Sequence, residues 1–298
     1  MNSIIDRLVV VLCKIVARLP FWVIFGMADI FYVLIYYVVR YRRKVVHQNL
    51  INSFPDKSPK EIRRITKKFY NHLSDMGLET LKFNQMTEKE IDDRIKFHDL
   101  GIYEEYYQQN KSVIVLGLHH NNWEWSGAMQ RLLKAQFLVV YNPVRNNKGL
   151  ERFILDSRER FGAKSIQVNL SVRALLDSDK AERPQALILG ADQTPPPNSQ
   201  FWTTFLNQET AFFSGPMKIA IKTNQPVILH HTRKVGRSRY EVFHYKLVEN
   251  PKEVKPEEIM MAYIRKIEEI IKAEPEYYLW SHRRWKHKRP ADIEMYKG

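Results

Sequence analysis

The stretch from Val113 to Gly127, VIVLGLHHNNWEWSG, carries the densest set of groups able to move a proton. Its first half is a short β-branched apolar run, which reads as a strand buried on both faces. Such a strand delivers His119 and His120 at its carboxyl end, with Glu124 five residues beyond His119. On one continuous helix that interval is about 500° of rotation, so the two side chains would lie far apart. Across a bend from strand to helix they can face each other. A carboxylate accepting from one ring nitrogen fixes the imidazole tautomer and leaves the other nitrogen as a base for a hydroxyl. The spacing also has a purely structural reading: Asn121 or Asn122 caps a helix through Trp123, Trp125 and Met129, and Glu124 completes a capping box three residues after Asn121.

The surrounding pattern alternates apolar runs with amphipathic segments. Strands are predicted at 137–141, 165–168, 186–193 and 226–231, and helices at 150–161, which contains Arg158, and at 172–176. The run at 186–193 ends in Asp192 and Gln193, and the run at 226–231 ends in His230 and His231. This alternation predicts an α/β fold: a central mixed, mostly parallel sheet flanked by helices, with its chemistry at the carboxyl ends of the strands. Upstream, Ser58, Pro59 and Glu61 read as N-cap, first-turn proline and capping-box partner of a helix through Ile62, Ile65, Phe69, Leu73 and Met76. The segment 194–215 holds three consecutive prolines and the aromatics Phe201, Trp202, Phe205, Phe212 and Phe213. These side chains either fill core space or line a groove for an acyl chain. Ser214, Gly215 and Pro216 then open another helix.

Residues 1–18 alternate apolar residues with Arg7, Lys14 and Arg18, a basic amphipathic pattern suited to an interface. The stretch 19–39 has Asp29 as its only charged residue and is followed by a basic cluster, Arg40 to Lys44. Its length fits a membrane span or deep interfacial hairpin; a cleaved signal peptide and a buried core helix are the competing readings. The division expected is a membrane anchor at 1–44 and a cytoplasmic α/β domain at 45–298. Lys and Arg number 47 against 33 Asp and Glu, a net charge of +14 that points to an anionic partner surface. No nucleic-acid recognition module accompanies that charge, so an acidic bilayer surface is favoured over nucleic acid. The single cysteine, Cys13, excludes an internal disulfide. No phosphate-cradling Gly-Lys loop, nucleophilic-serine elbow or His-Glu-x-x-His helix is present. A metal-dependent hydrolase built from His119, His120, Glu124, Asp192, His230 and His231 is a rival, but none of its spacings is a standard ligand pair. Neither a metal nor a cofactor is expected.

Taken in order, these motifs resemble the bacterial lipid A biosynthesis acyltransferases, the lauroyl and myristoyl transferase group of the glycerophosphate and lysophospholipid acyltransferase superfamily. The likeness runs through an apolar then basic N-terminus, Asn49-Leu50, Phe54-Pro55 and His119 with Trp123 and Glu124. It continues with Arg158 before Phe161-Gly162, Asp192-Gln193, Phe205 leading to Gly215-Pro216, and Tyr278 to Arg284. The resemblance implies transfer of a fatty acyl group from acyl carrier protein onto a hydroxyl of a membrane glycolipid at the bacterial inner membrane, with a lysophospholipid or aminolipid as the alternative acceptor. By position it makes His119 the general base, Glu124 its orienting carboxylate, Arg158 an oxyanion or lipid-phosphate ligand, and Asp192 a positioning group. Asn122, Gln193, Gly215, Arg283 and Arg284 are the candidate substrate contacts. Two departures fall where headgroup contacts are expected: Asn142 stands where many members have arginine, and Leu206-Asn207 replaces the usual Phe-Gly.

Overall fold

The computed structural model describes residues 4–144 and 147–297, so the first three residues of the amphipathic N-terminal segment lie outside it. Helices α1 (Ile4–Arg18) and α2 (Phe21–Val33, prolonged by a π-helical turn through Val38) precede α3 (Arg43–Ser53) and the long α4 (Pro59–Phe83). Next come α5 (Glu88–Arg94), β1 (Ile95–Phe97), α6 (Gly101–Gln108) and β2 (Val113–Gly117), then a 3₁₀ helix from Trp123 to Leu132. The chain continues through β3 (Gln136–Tyr141), α7 (Lys148–Glu159), β4 (Lys164–Gln167), α8 (Val168–Leu176) and β5 (Gln185–Gly190). A hairpin of β6 (Phe201–Phe205) and β7 (Gln208–Phe212) leads to α9 (Gly215–Thr223), β8 (Val227–Gly236), β9 (Arg239–Val248) and α10 (Pro256–Ala273).

Seven strands form one sheet in the order β1-β9-β8-β2-β5-β3-β4. The five from β8 to β4 are parallel, and the antiparallel turn from β8 into β9 makes the sheet mixed, as expected. β2 lies near the middle with all five residues buried. Its side chains alternate between the two layers. Ile114 and Leu116 pack with Leu229 and the α10 residues Ile259, Tyr263 and Ile267. Val113 and Val115 face the opposite layer with Tyr103, Met129 and Phe137. A strand covered on both faces has no place for polar side chains, so they collect where it ends.

The start of α4 forms as read: Ser58 N–H donates to Glu61 Oε2 at 2.9 Å, and Glu61 N–H donates to Ser58 Oγ at 3.4 Å. The aromatic stretch folds into the β6–β7 hairpin with Phe201, Trp202, Phe205 and Phe212 buried, so these rings fill core rather than line a groove. Leu206 and Asn207 form its two-residue turn, both with positive φ (48° and 62°), the backbone that matches the twist of a tight hairpin.

The π-helical turn makes Phe21–Val38 one helix of 18 residues, long and apolar enough to cross a membrane. One side of α2 packs inward through Phe21, Ile24 and Ala28, while Trp22 (77% exposed) and Ile30 (72%) point outward. Asp29 is paired: Arg237, in the turn between β8 and β9, donates to it at 2.7 Å and to buried Asp75 of α4 at 2.7 and 3.0 Å. The apolar helix is thereby clamped to the sheet domain. Arg237→Met leaves Asp75 with Lys234, at 3.3 Å, as its remaining ion-pair partner. A loss of about 1–3 kcal/mol is expected in denaturant unfolding of the detergent-solubilised protein, whereas Asp29→Asn, which breaks only the exposed arm, costs about 0–1 kcal/mol.

Candidate active site

Parallel pairing of β2 with β5 sets Gly117 against Gly190. Two residues beyond each lie His119 and Asp192, and the same register brings them together. His119 Nδ1–H donates to Asp192 Oδ1 at 2.7 Å, and the His119 backbone N–H donates to Oδ2 at 3.0 Å. One carboxylate, 1% exposed, thus holds both the ring and the main chain that carries it. Gly190 is required here: a Cβ on it would lie 2.6 Å from His119 Cε1, because the ring rests against that backbone. The edge of Trp123 closes the other side, ring centroids 4.7 Å apart. Leu279 N–H donates to the His119 carbonyl at 3.0 Å, and Tyr263 OH to that of Gly117 at 2.7 Å, which ties the strand end to α10 and the segment after it.

Burial opposes a charge on His119, but the facing Asp192 carboxylate outweighs it and raises the imidazole above its ordinary value. Burial likewise pushes the Asp192 carboxyl up, and the opposing His119 charge and hydrogen bonds bring it below the usual range. With Nδ1 committed to Asp192, Nε2 has no hydrogen-bond partner among the described residues on a side chain that is 21% exposed. The free ring nitrogen is the one that can reach a substrate.

Among the described residues Glu124 makes no hydrogen bond to His119, contrary to the expected pairing. It accepts from Arg158 Nε at 2.9 Å and Nη2 at 2.8 Å, and from Trp123 Nε1 at 3.1 Å. The cause is local geometry. Asn121 turns the chain with φ +58°, Asn122 caps by accepting from the Glu124 N–H at 3.2 Å, and the tight 3₁₀ turn aims Glu124 at α7 instead of back along the strand. Gly127 lets α7 come close, since a Cβ there would sit 2.5 Å from the Arg158 carbonyl oxygen. The expected capping box through Asn121 is therefore absent. Burial raises the Glu124 carboxyl, but the Arg158 charge and hydrogen bonds outweigh it and hold it below the usual carboxylate range; its charge also acts on His119.

The candidate substrate contacts separate. Gln193 is part-exposed beside Asp192. Asn122 is fully buried and its Nδ2 donates to Glu79 Oε2 at 2.7 Å, so both ends of its amide serve the fold. Arg284 is buried as well: Nη2 donates to the Ala211 carbonyl at 2.5 Å and the guanidinium lies over the Phe212 ring at 4.5 Å. A cation enclosed in that way cannot meet a headgroup. Arg283 and Gly215 are exposed, Gly215 at the start of α9. Among the described residues neither makes a hydrogen bond or ion pair with the four catalytic candidates. The six side chains of the metal-hydrolase reading do not converge, because His230 turns inward to Ser126 Oγ at 2.8 Å and His244 Nε2 at 3.0 Å.

Glu79 is the group that sequence reasoning missed. Besides Asn122 it accepts from Ser238 Oγ at 2.5 Å and Tyr240 OH at 2.7 Å, and burial pushes its carboxyl up. The signal was present: Asp75 and Glu79 fall on the buried stripe of α4 with Ile65, Phe69 and Phe83. The His119–Asp192 pair had one too, in the matching ends Gly117-Leu-His119 and Gly190-Ala-Asp192. On the same edge of the sheet, at the ends of β3 and β4, a cleft of about 560 Å³ is lined by Tyr141, Ile166, Gln167, Leu170 and Arg173. Tyr141 lies within electrostatic reach of Arg158.

An imidazole held by a buried carboxylate stands at the carboxyl edge of a mostly parallel sheet, the edge where ligands bind in open α/β folds. The chain belongs to the bacterial lipid A biosynthesis acyltransferases, whose family model matches residues 1–287. Its activity is therefore acyl transfer in lipid A biosynthesis, and the family is membrane-associated. A search of curated proteins finds no match.

If Glu124 and Arg158 act as one unit, Glu124→Ala and Arg158→Ala each lower the acyl-transfer rate and the double variant loses less than the sum. A coupling of about 0.5–3 kcal/mol is expected from the double-mutant cycle; additive losses would separate the two residues.

Proposed function

We propose that the protein moves a fatty acyl group from acyl carrier protein onto a hydroxyl of a lipid A precursor at the cytoplasmic face of the inner membrane. The observation that carries this reading is the open Nε2 of His119, whose partner nitrogen is locked to Asp192. Nε2 takes the proton of the acceptor hydroxyl as its oxygen attacks the thioester carbonyl carbon. The tetrahedral adduct collapses with cleavage of the C–S bond, and the imidazolium returns its proton to the departing thiolate of the carrier arm. No covalent enzyme intermediate is involved. Asp192 takes the orienting part first assigned to Glu124, and stabilises the imidazolium that forms. Arg158, with two of its nitrogens on Glu124, contributes positive charge beside the site and toward the Tyr141 cleft.

The N-terminal helices supply the membrane side of the proposal. The exposed apolar side chains of α1 (Ile4, Leu8, Leu12, Ile15) and α2 (Trp22, Ile30, Phe31) enter the bilayer, and the +14 charge draws the domain to acidic headgroups. Gln193 and exposed Arg283 remain the proposed substrate contacts.

Acyl transfer in detergent micelles from labelled acyl carrier protein to a tetra-acylated lipid A precursor tests the reaction. His119→Ala is expected to lose about 10²- to 10⁴-fold in kcat while keeping its fold, and Asp192→Asn to lose a comparable factor because its amide no longer fixes the tautomer. Transfer only to lysophospholipids would replace the acceptor, and full activity of His119→Ala would overturn the mechanism. For the membrane contact, Trp22→Asp with Ile30→Asp should reduce co-sedimentation with anionic vesicles severalfold.

A further inference from the structure

Directly behind the proposed base lies a second group of side chains that acyl transfer does not use. Ligand atoms of His120, His231 and Glu274 all lie within 4.8 Å of one another. They come from three parts of the chain: the residue after His119, the middle of β8, and the residue that follows α10. His120 is fully buried and His231 is 6% exposed. Among the described residues neither ring nitrogen of His231 has a hydrogen-bond partner. A buried imidazole with both its donor and its acceptor unmet is costly, and such a group calls for an occupant.

His120, by contrast, has both ring nitrogens hydrogen-bonded, and its neighbours must rearrange for it to ligate. Its Nε2 lies 3.0 Å from the Glu274 carbonyl oxygen, and its Nδ1 lies 3.0 Å from Asn121 Nδ2. Coordination through Nε2 needs the proton on Nδ1, so Asn121 must present its oxygen to the ring. That oxygen is buried and has no partner as the amide now stands. Turning the amide gives it the His120 N–H to accept, gives up the Asn121 bond to the Thr232 carbonyl, 2.9 Å long, and requires the turned oxygen to move off that carbonyl, while the metal replaces the Glu274 carbonyl as partner of Nε2. The other ring N–H of a metal-bound histidine is usually held by a carboxylate, backbone carbonyl or water, and the turned amide oxygen would take that place here.

We propose that His120, His231 and Glu274 form a binding site for one divalent transition-metal ion of the zinc class, with water as fourth ligand. Two imidazoles and a carboxylate suit zinc, and metal–ligand bonds of about 2.0–2.1 Å draw the ligand atoms in to about 3.4 Å of one another. The ion would be structural. It joins the loop carrying His119 to the segment from Glu274 to Leu279, which already holds that loop by Asn121 N–H to the Tyr277 carbonyl and Leu279 N–H to the His119 carbonyl. The site stands apart from the acyl-transfer reading and is tested without an activity measurement.

Full-length protein in detergent, freed of metal by chelator and dialysis, is titrated with Zn²⁺ alone by calorimetry and followed in parallel by thermal melting. One equivalent with a raised Tm is expected. His231→Gln and Glu274→Gln should each weaken binding by about 100-fold or more and remove the Tm increase, while His47→Gln, at an exposed histidine, changes neither. Because a core substitution can disturb folding, Co²⁺ loading of the unmodified protein gives a second readout through the visible absorption bands of a tetrahedral site. Absence of stoichiometric Zn²⁺ binding, equal binding by His231→Gln, or octahedral Co²⁺ bands would each overturn the proposal.

Discussion

The in-register parallel pairing of β2 and β5 is the constraint on which the site depends. Gly117 opposite Gly190 means that whatever stands two residues beyond each strand must also meet, and here those residues are an imidazole and a carboxylate. A shift of one residue would put Ala191 or Gln193 opposite the ring and leave it without its anchor. Asp192 holds the ring nitrogen and the backbone N–H of the same histidine, so ring orientation and strand-end conformation cannot relax separately. The glycine at 190 follows from the same closeness, since the ring occupies the space of a side chain.

A second set of buried charges holds the other side of the site. From α4, Glu79 reaches the Asn122 cap, Ser238 and Tyr240, while Asp75 pairs with Lys234 and Arg237. Buried carboxylates are tolerable only when donors surround them. These donors come from the 3₁₀ turn and from the β8–β9 hairpin, elements distant in the chain, and so the network fixes where the turn carrying Glu124 sits against the sheet. Arg237 extends it to Asp29. The one acid in the apolar N-terminal helix thus has a protein partner, which relieves the cost that an unpaired carboxylate in such a helix would carry.

The edge of the sheet therefore has two charge pairs side by side, His119–Asp192 and Arg158–Glu124, with different work to do. The first leaves a nitrogen lone pair facing outward. The second is a two-bond guanidinium–carboxylate fork that joins the 3₁₀ turn to α7 and keeps a positive group near the cleft at Tyr141.

Much of this follows from the amino-acid order alone. The β-branched runs dictate buried strands, their ends dictate where polar groups gather on the sheet edge, and Ser58, Pro59 and Glu61 start α4, because each of these depends on neighbours a few residues away. The emergence of His119 at that edge was also readable, from its place at the end of a strand with no polar residues inside it. What local spacing could not decide was partnership. Glu124 is close to His119 in the chain, yet the 3₁₀ turn sends it to Arg158, while Asp192 arrives from 73 residues away through strand register. The same holds for Arg284, a candidate substrate contact by sequence that the β6–β7 hairpin encloses, and for Glu79, which only gains meaning once the 3₁₀ turn and the β8–β9 hairpin supply its donors. Local sequence determines which elements form and where polar groups emerge; tertiary packing selects which of those groups meet, because a hydrogen bond is decided by fractions of an ångström between segments that the sequence keeps far apart.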